Sequence, residues 1–312
     1  MPPRPKDPTK DPTPLAGPLA AAAGKSPGGV KPDALTSQQS DKKNYAQRLS
    51  NELALVVAAA VAPRYKRARV TPFADGGGQE FTVGASIDKK RTDVGVWDDA
   101  AGLVFGVSIK TLSFRDRSGK GATARLGRYV KNVKRNDMEL RDEADVLHRR
   151  QPFAVLAAIL FIPEDACWDA GTENGHSSFA HIVFTLRKRT GRRDPHTSRP
   201  DLFERVFVGL YDEAGHVGFF DVIKPPRRNQ KPDQSELLAL GDVVDELVDT
   251  VTLRNTGSLP ANRYSADDPT WQPPSPVELA LSAEPLTFDE TLWADSEDAE
   301  DENDEAGDDT DE

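Results

Sequence analysis

An α/β domain with a mixed central sheet, extended at its C-terminal side by a helix, a hairpin and a last helix, is the fold class this chain predicts. Three observations carry that expectation. The hydrophobic period switches from helical to alternating and back in an orderly way between residues 41 and 253. The run 153–161 is almost continuously apolar, as a strand covered on both faces must be. Clusters of Gly, Pro, Asp and Asn punctuate the chain where the period changes.

The elements follow in order. Asp41 can cap a helix in which Tyr45, Leu49, Val56 and Ala60 recur at helical spacing until Pro63 stops it. Gly76-Gly77-Gly78 then breaks the chain before a strand expected at 80–86. A hairpin follows over 92–110, its tight connection near Asp98 to Gly102. Val94 and Val96 point to one face of its first strand, and Asp93, Gly95 and Trp97 to the other. Register then puts Asp93 roughly opposite Val107 or Ser108, and Ser108 and Lys110 share a face two residues apart. A long polar helix lies within 126–150 and ends before Pro152, and the buried strand follows it. A helix at 177–188 presents Phe179, Ile182, Val183 and Leu186 on one side. The turn residues Asp212, Glu213 and Gly215 join strands 205–211 and 217–222, and the last helix spans 235–253.

Composition divides the chain into three parts: 1–40, 41–273 and 274–312. The first is rich in Pro, Ala, Gly and Ser with few large apolar side chains, and is expected to be disordered. The last is expected to be a disordered acidic tail, with 15 acids and no base from Glu284 onward. The net charge of −11 therefore describes the tail, since the rest holds 36 acids against 40 bases. An acidic pI is thus no argument against a nucleic-acid partner. Leu286, Phe288, Leu292 and Trp293 alternate with the acids, so the tail reads either as a solubilising segment or as a peptide that docks on a basic surface in cis or on another protein. A single cysteine, Cys167, excludes an intrachain disulfide and a thiolate zinc site, and fits a reducing cytoplasm. No apolar run is long enough to cross a bilayer, so no membrane association is expected.

Glu52 falls between Leu49 and Val56 on the stripe of the first helix, which aims its carboxylate toward the core. A buried carboxylate needs a cation or donors, and a metal, Lys110 or the neighbouring Arg48 could serve. Lys110 has its own plainer reading, a strand-edge lysine that blocks sheet pairing. The five histidines form no zinc or general-base pattern, and Gly76-Gly77-Gly78 lacks the lysine of a phosphate loop.

With Glu52, Asp93 and Ser108-Ile109-Lys110 on an αβββαβ order, residues 41–163 resemble the PD-(D/E)xK nuclease superfamily, the restriction-endonuclease-like fold. The resemblance implies a Mg²⁺-dependent DNA endonuclease of a restriction or phage-defence system, with Mn²⁺ as a substitute ion. It implies catalytic roles for Asp93, Lys110, Glu52 and Ser108, with Asp93 and Glu52 holding the metal and Lys110 orienting water or stabilising phosphorane charge. The chain departs from the motif at Ser108, where an acid is usual, and serine is a poor Mg²⁺ ligand. One subgroup of restriction enzymes is similar in having Ser-x-Lys with the acid supplied from a downstream helix. Here Glu139 and Glu143, one turn apart, would be the metal-ligand candidates. The alternative is a catalytically inactive nuclease-fold protein that binds nucleic acid or a partner, regulated by its tail.

A basic stretch supports a phosphate-rich partner. Lys110, Arg115, Arg117, Lys120, Arg125, Arg128, Lys131, Lys134 and Arg135 face one acid, Asp116. All but Lys110 are candidate DNA-backbone contacts. A second cluster, Lys188, Arg189, Arg192, Arg193 and Arg199, reads equally as a mobile basic loop or a polar connector. The partners expected are duplex DNA and a second copy of the chain as a homodimer.

Overall fold

Seven strands form the central sheet of the computed structural model, which describes residues 15–65, 68–73, 81–82, 91–98, 102–119, 123–172 and 175–255. The chain runs through α1 (Ala16–Gly24), α2 (Gln39–Val61), β1 (Arg69–Thr71), β2 (Phe81–Thr82), β3 (Arg91–Thr92), β4 (Val94–Asp98) and β5 (Gly102–Thr111). It continues through β6 (Arg117–Ser118), β7 (Arg125–Leu126), α3 (Val133–Arg150), β8 (Val155–Pro163), α4 (Ser178–Arg187), β9 (Arg205–Tyr211), β10 (Val217–Asp221), β11 (Leu237–Leu238) and α5 (Leu240–Asn255). The sheet is mixed: β1, β4 and β5 pair antiparallel, β5, β8 and β9 parallel, and β9, β10 and β11 antiparallel. Between α2 and β8 the central sheet takes β1, β4 and β5, while β2–β3 and β6–β7 form two separate two-stranded sheets.

Alternation divides each strand between two cores. Val94, Val96, Val107, Ile109, Ile159, Phe161, Phe207 and Phe219 face α2 and α5. Leu103, Leu156, Leu160, Val206, Val208 and Phe220 face α3 and α4. Strand β8 has neighbours on both edges and helices over both faces, which is why its sequence is apolar without interruption. On α2 the buried stripe is Tyr45, Leu49, Leu53, Val57 and Val61, at four-residue spacing.

Four expectations need correction. The first strand of the central sheet is β1, whose Thr71 pairs with Gly95; Phe81–Thr82 pairs instead with Arg91–Thr92 in a separate two-stranded sheet, and 83–86 lie outside the described residues. Three residues are too few for alternation to show. Helix α2 starts two residues before Asp41, and α5 begins at Leu240, preceded by a 3-10 turn at Gln234–Glu236 and by β11. Part of 1–40 is ordered: Leu15, just before α1, and Ala22 within it are buried, and Arg48 of α2 donates to the Ala22 carbonyl at 3.0 Å and to Ser26 Oγ at 2.6 Å. A single buried helix contact per side is below what composition can register. Residues 1–14 and the acidic tail lie outside the described residues.

Candidate functional site

The β4–β5 hairpin has the register expected of it. Val94 faces Val107, Gly95 faces Gly106, and Asp98 faces Gly102, whose φ of +75° suits a glycine at the end of the turn. Asp93 stands one residue before β4, and its Oδ2 accepts a hydrogen bond from the Ile109 amide at 2.6 Å. The carboxylate is thereby fastened to the middle of Ser108-Ile109-Lys110. Thr92, fully buried, is wedged beneath: a Cβ on Gly95 would lie 3.0 Å from its Oγ1, and one on Gly106 3.0 Å from its Cγ2. The facing glycines make the space that Thr92 fills, and so set where Asp93 begins.

Ser108 and Lys110 alternate with Val107 and Ile109, so they point to the α3 face. Helix α3 presents Glu139 and Glu143 there, one turn apart. Ser108 Oγ donates to Glu143 Oε1 at 2.5 Å. Lys110 Nζ lies 3.7 Å from Glu143 Oε2 and 3.5 Å from Glu139 Oε2, and Arg135 donates to Glu139 Oε1 at 2.8 Å. Glu143 is 8% exposed and Lys110 23%, so the group sits at the rim of the core, open on one side. Burial pushes the Lys110 ammonium toward neutrality, but Glu143, Asp93 and Glu139 outweigh it and hold its pKa above the ordinary lysine value. Lys110 is therefore a fixed cation near neutral pH. Burial likewise pushes the Glu139 carboxyl up, and Arg135 and Lys110 outweigh it to hold that group below the usual carboxylate range.

Glu52 stands apart. It is half-buried on α2, which covers the opposite face of the sheet, and no hydrogen bond or ion pair among the described residues joins it to Asp93, Lys110 or Arg48. The side of α2 it occupies borders the stripe of Tyr45, Leu49 and Leu53 without lying in it. Among the described residues no three His, Cys, Asp or Glu converge as a metal-holding group. The donors that do gather are hard carboxylate oxygens around one ammonium.

The basic residues separate into two kinds. Arg115 pairs with Asp165 at 3.0 Å and lies over the Tyr129 ring, and Arg128 donates to the His176 carbonyl with its Nε 3.7 Å from Asp169. These are held by the fold. Arg117, Arg125, Lys131, Lys134 and Arg135 are exposed, and Lys120 lies outside the described residues. The second cluster is largely structural rather than a mobile basic loop: Arg189 grips Asp137 through two bonds of 2.7 and 3.1 Å, and Arg192 bonds Glu204 at 3.0 Å. Glu204 is buried and also accepts from the Leu156 amide at 2.7 Å and from Arg254 of α5, with His148 Nε2 at 3.4 Å. The sequence offered no signal for these acids, because Asp137 and Glu204 are distant in the chain from the arginines they neutralise.

Compared with protein-family models, curated proteins and solved structures, the chain finds no match. No helix among the described residues is long and apolar enough to cross a membrane.

Proposed function

We propose that the protein is a Mg²⁺-dependent endonuclease of the PD-(D/E)xK type, with Mn²⁺ as a substitute ion, that hydrolyses phosphodiester bonds of duplex DNA in restriction or phage defence. The observation that carries this reading is the Ser108–Glu143 hydrogen bond, with Lys110 between Glu143 and Glu139 and Asp93 tied to Ile109. On this reading Glu143 of α3 would stand in for the acid that Ser-Ile-Lys lacks. Asp93 and Glu143 would hold the ion, a donor set that suits Mg²⁺, which binds phosphoryl-transfer sites through one or two carboxylates together with water and substrate phosphate. When bound, Mg²⁺ supplies Lewis-acid polarisation of the phosphate and a more acidic water.

The chain's own residues do the rest. Lys110, protonated, donates to a non-bridging oxygen as negative charge develops there, which is worth most at a rim partly screened from water. A protonated lysine is not the base. Ser108 orients the Glu143 carboxylate, and Glu139 with Arg135 holds Lys110 from the second side. Arg117, Arg125, Lys131 and Lys134 would meet the DNA backbone. The test is plasmid cleavage by the full chain with Mg²⁺, Mn²⁺ or EDTA: nicking or linearisation with either ion and none with EDTA is expected, and an intact plasmid under all three conditions overturns the assignment.

A second reading rests on one observation. Both Glu143 oxygens already have partners, Ser108 on one and Lys110 on the other. A nuclease-fold protein that binds DNA without cutting it would keep such a closed group. Duplex binding in the plasmid series without cleavage would favour it.

A further inference from the structure

Away from the candidate site, the segment 222–231 carries Lys224, Arg227, Arg228 and Lys231; Arg227 pairs with Asp233 and Glu236 and Lys231 with Glu164, which leaves Lys224 and Arg228 without a carboxylate partner among the described residues. The segment is fastened along α4 at both ends. Arg187, the last residue of the helix, donates to the carbonyls of Val222 at 2.8 Å and Lys224 at 2.6 Å, and the amide of Ser177, which caps the start of α4, donates to the Arg228 carbonyl at 2.6 Å. Helix and segment therefore form a ledge about 15 Å long.

The ledge exposes apolar surface that globular packing would normally cover. Phe184 is 48% exposed, and Ile223 is exposed beside Arg187's anchor points. The Phe184 ring is framed by His176, whose ring meets it edge-on at 5.6 Å, and by the Arg187 guanidinium 5.5 Å from its centroid. Arg187 spends its hydrogen bonds on carbonyls, so its charge is not cancelled by a carboxylate among the described residues. Arg128, within the basic stretch 110–135, bonds the His176 carbonyl and so joins the ledge to that stretch.

We propose that this ledge binds unpaired nucleotides, with bases stacked on Phe184 and the sugar-phosphate strand held by Arg187, Lys224 and Arg228. The inference rests on the nucleic-acid reading above and deepens it: the favoured substrate is a duplex with an adjoining single strand. Charge selects this occupant, since a ring beside the Arg187 guanidinium, with Lys224 and Arg228 on the adjoining segment, suits a base with its phosphate and gains little from an apolar peptide. Base–aromatic stacking tolerates any sequence, so the ledge reads strandedness and not base identity.

The test uses full-length protein in EDTA and three fluorescent ligands: a blunt duplex, the same duplex with a single-stranded overhang, and the single strand. Wild type is expected to bind the overhang duplex more tightly than the blunt one. Phe184→Ala should lose about tenfold on the overhang duplex and on the single strand, the scale of one stacked base. Phe184→Trp should keep that affinity, and all three proteins should bind blunt duplex equally. Equal binding of blunt and overhang duplex by wild type overturns the ledge while leaving the duplex reading intact; failure to bind any nucleic acid overturns both. If Phe184→Ala keeps its nucleic-acid affinity but loses binding of a peptide of residues 284–312, the ledge docks the chain's own acidic segment and the proposal falls.

Discussion

Glu143 and Glu139 lie one turn apart on α3, yet their surroundings assign them different work. Glu143 is nearly buried and bonded to Ser108, whereas Glu139 is shared between Lys110 and the exposed Arg135. Ser108→Ala leaves the Glu143 carboxylate without its donor, and a cleavage rate reduced by about tenfold is expected, the worth of one charge-assisted hydrogen bond. Single-turnover cleavage at saturating Mg²⁺ measures it. The pH profile follows from the pKa directions. Lys110 is held above its ordinary value, so its cationic role persists to higher pH than a free lysine's would. Glu139 is held low, so its pairs with Lys110 and Arg135 are intact above the ordinary glutamate value of about 4.3 and are lost as pH falls through its lowered value. An alkaline limb of cleavage below the ordinary lysine value, about 10.4, would contradict the Lys110 assignment. Asp93, Ser108 and Lys110 were legible in the sequence because hairpin register fixes them. Which glutamate joins them was not, since that depends on how α3 is rotated against the sheet.

At the scale of elements, Glu204 joins four pieces of chain at one buried point: its own position just before β9, β8 through Leu156, the 188–199 segment through Arg192, and α5 through Arg254. Burial pushes its carboxyl up, but His148 and Arg254 outweigh that and lower its pKa. A depressed folded pKa gives stability that is present above the unfolded value, about 4.3, and lost as pH falls through the folded one. Glu204→Gln should cost about 3–5 kcal/mol at pH 7, the scale for removing one partner of a buried pair. Urea melts at pH 7 and pH 3.5 check this: the gap from wild type should narrow at the lower pH. Strand β8 and the β9–β10 hairpin were readable because each has a regular apolar pattern, and α3 because a long polar run ends before Pro152. Strand β1, three residues long, and α1, whose burial rests on Leu15 and Ala22, depend on partners the local sequence does not name.

For the whole molecule, the uneven charge is the property most open to test. Fifteen acids without a base from Glu284 onward share a chain with a basic, exposed stretch beside the candidate site. Covalent linkage raises the effective concentration of one segment of a chain at another, so docking of the acids on those bases is a proposal that truncation can test. Truncation after Pro274 should raise duplex affinity at low ionic strength, with the difference shrinking as salt rises. Fluorescence anisotropy across a salt series measures both, and an unchanged affinity throughout would leave the segment a solubilising one.

The central claim is that α3 supplies the acid that Ser108 does not. It is tested most directly by comparing Glu143→Gln, Glu139→Gln and Glu52→Gln in one series, reading plasmid cleavage together with Mg²⁺ affinity by calorimetry. Loss of both cleavage and Mg²⁺ binding in Glu143→Gln is expected, with a milder loss of cleavage and near-normal binding in Glu139→Gln, and wild-type behaviour in Glu52→Gln. Full cleavage and unchanged Mg²⁺ binding by Glu143→Gln would contradict the account.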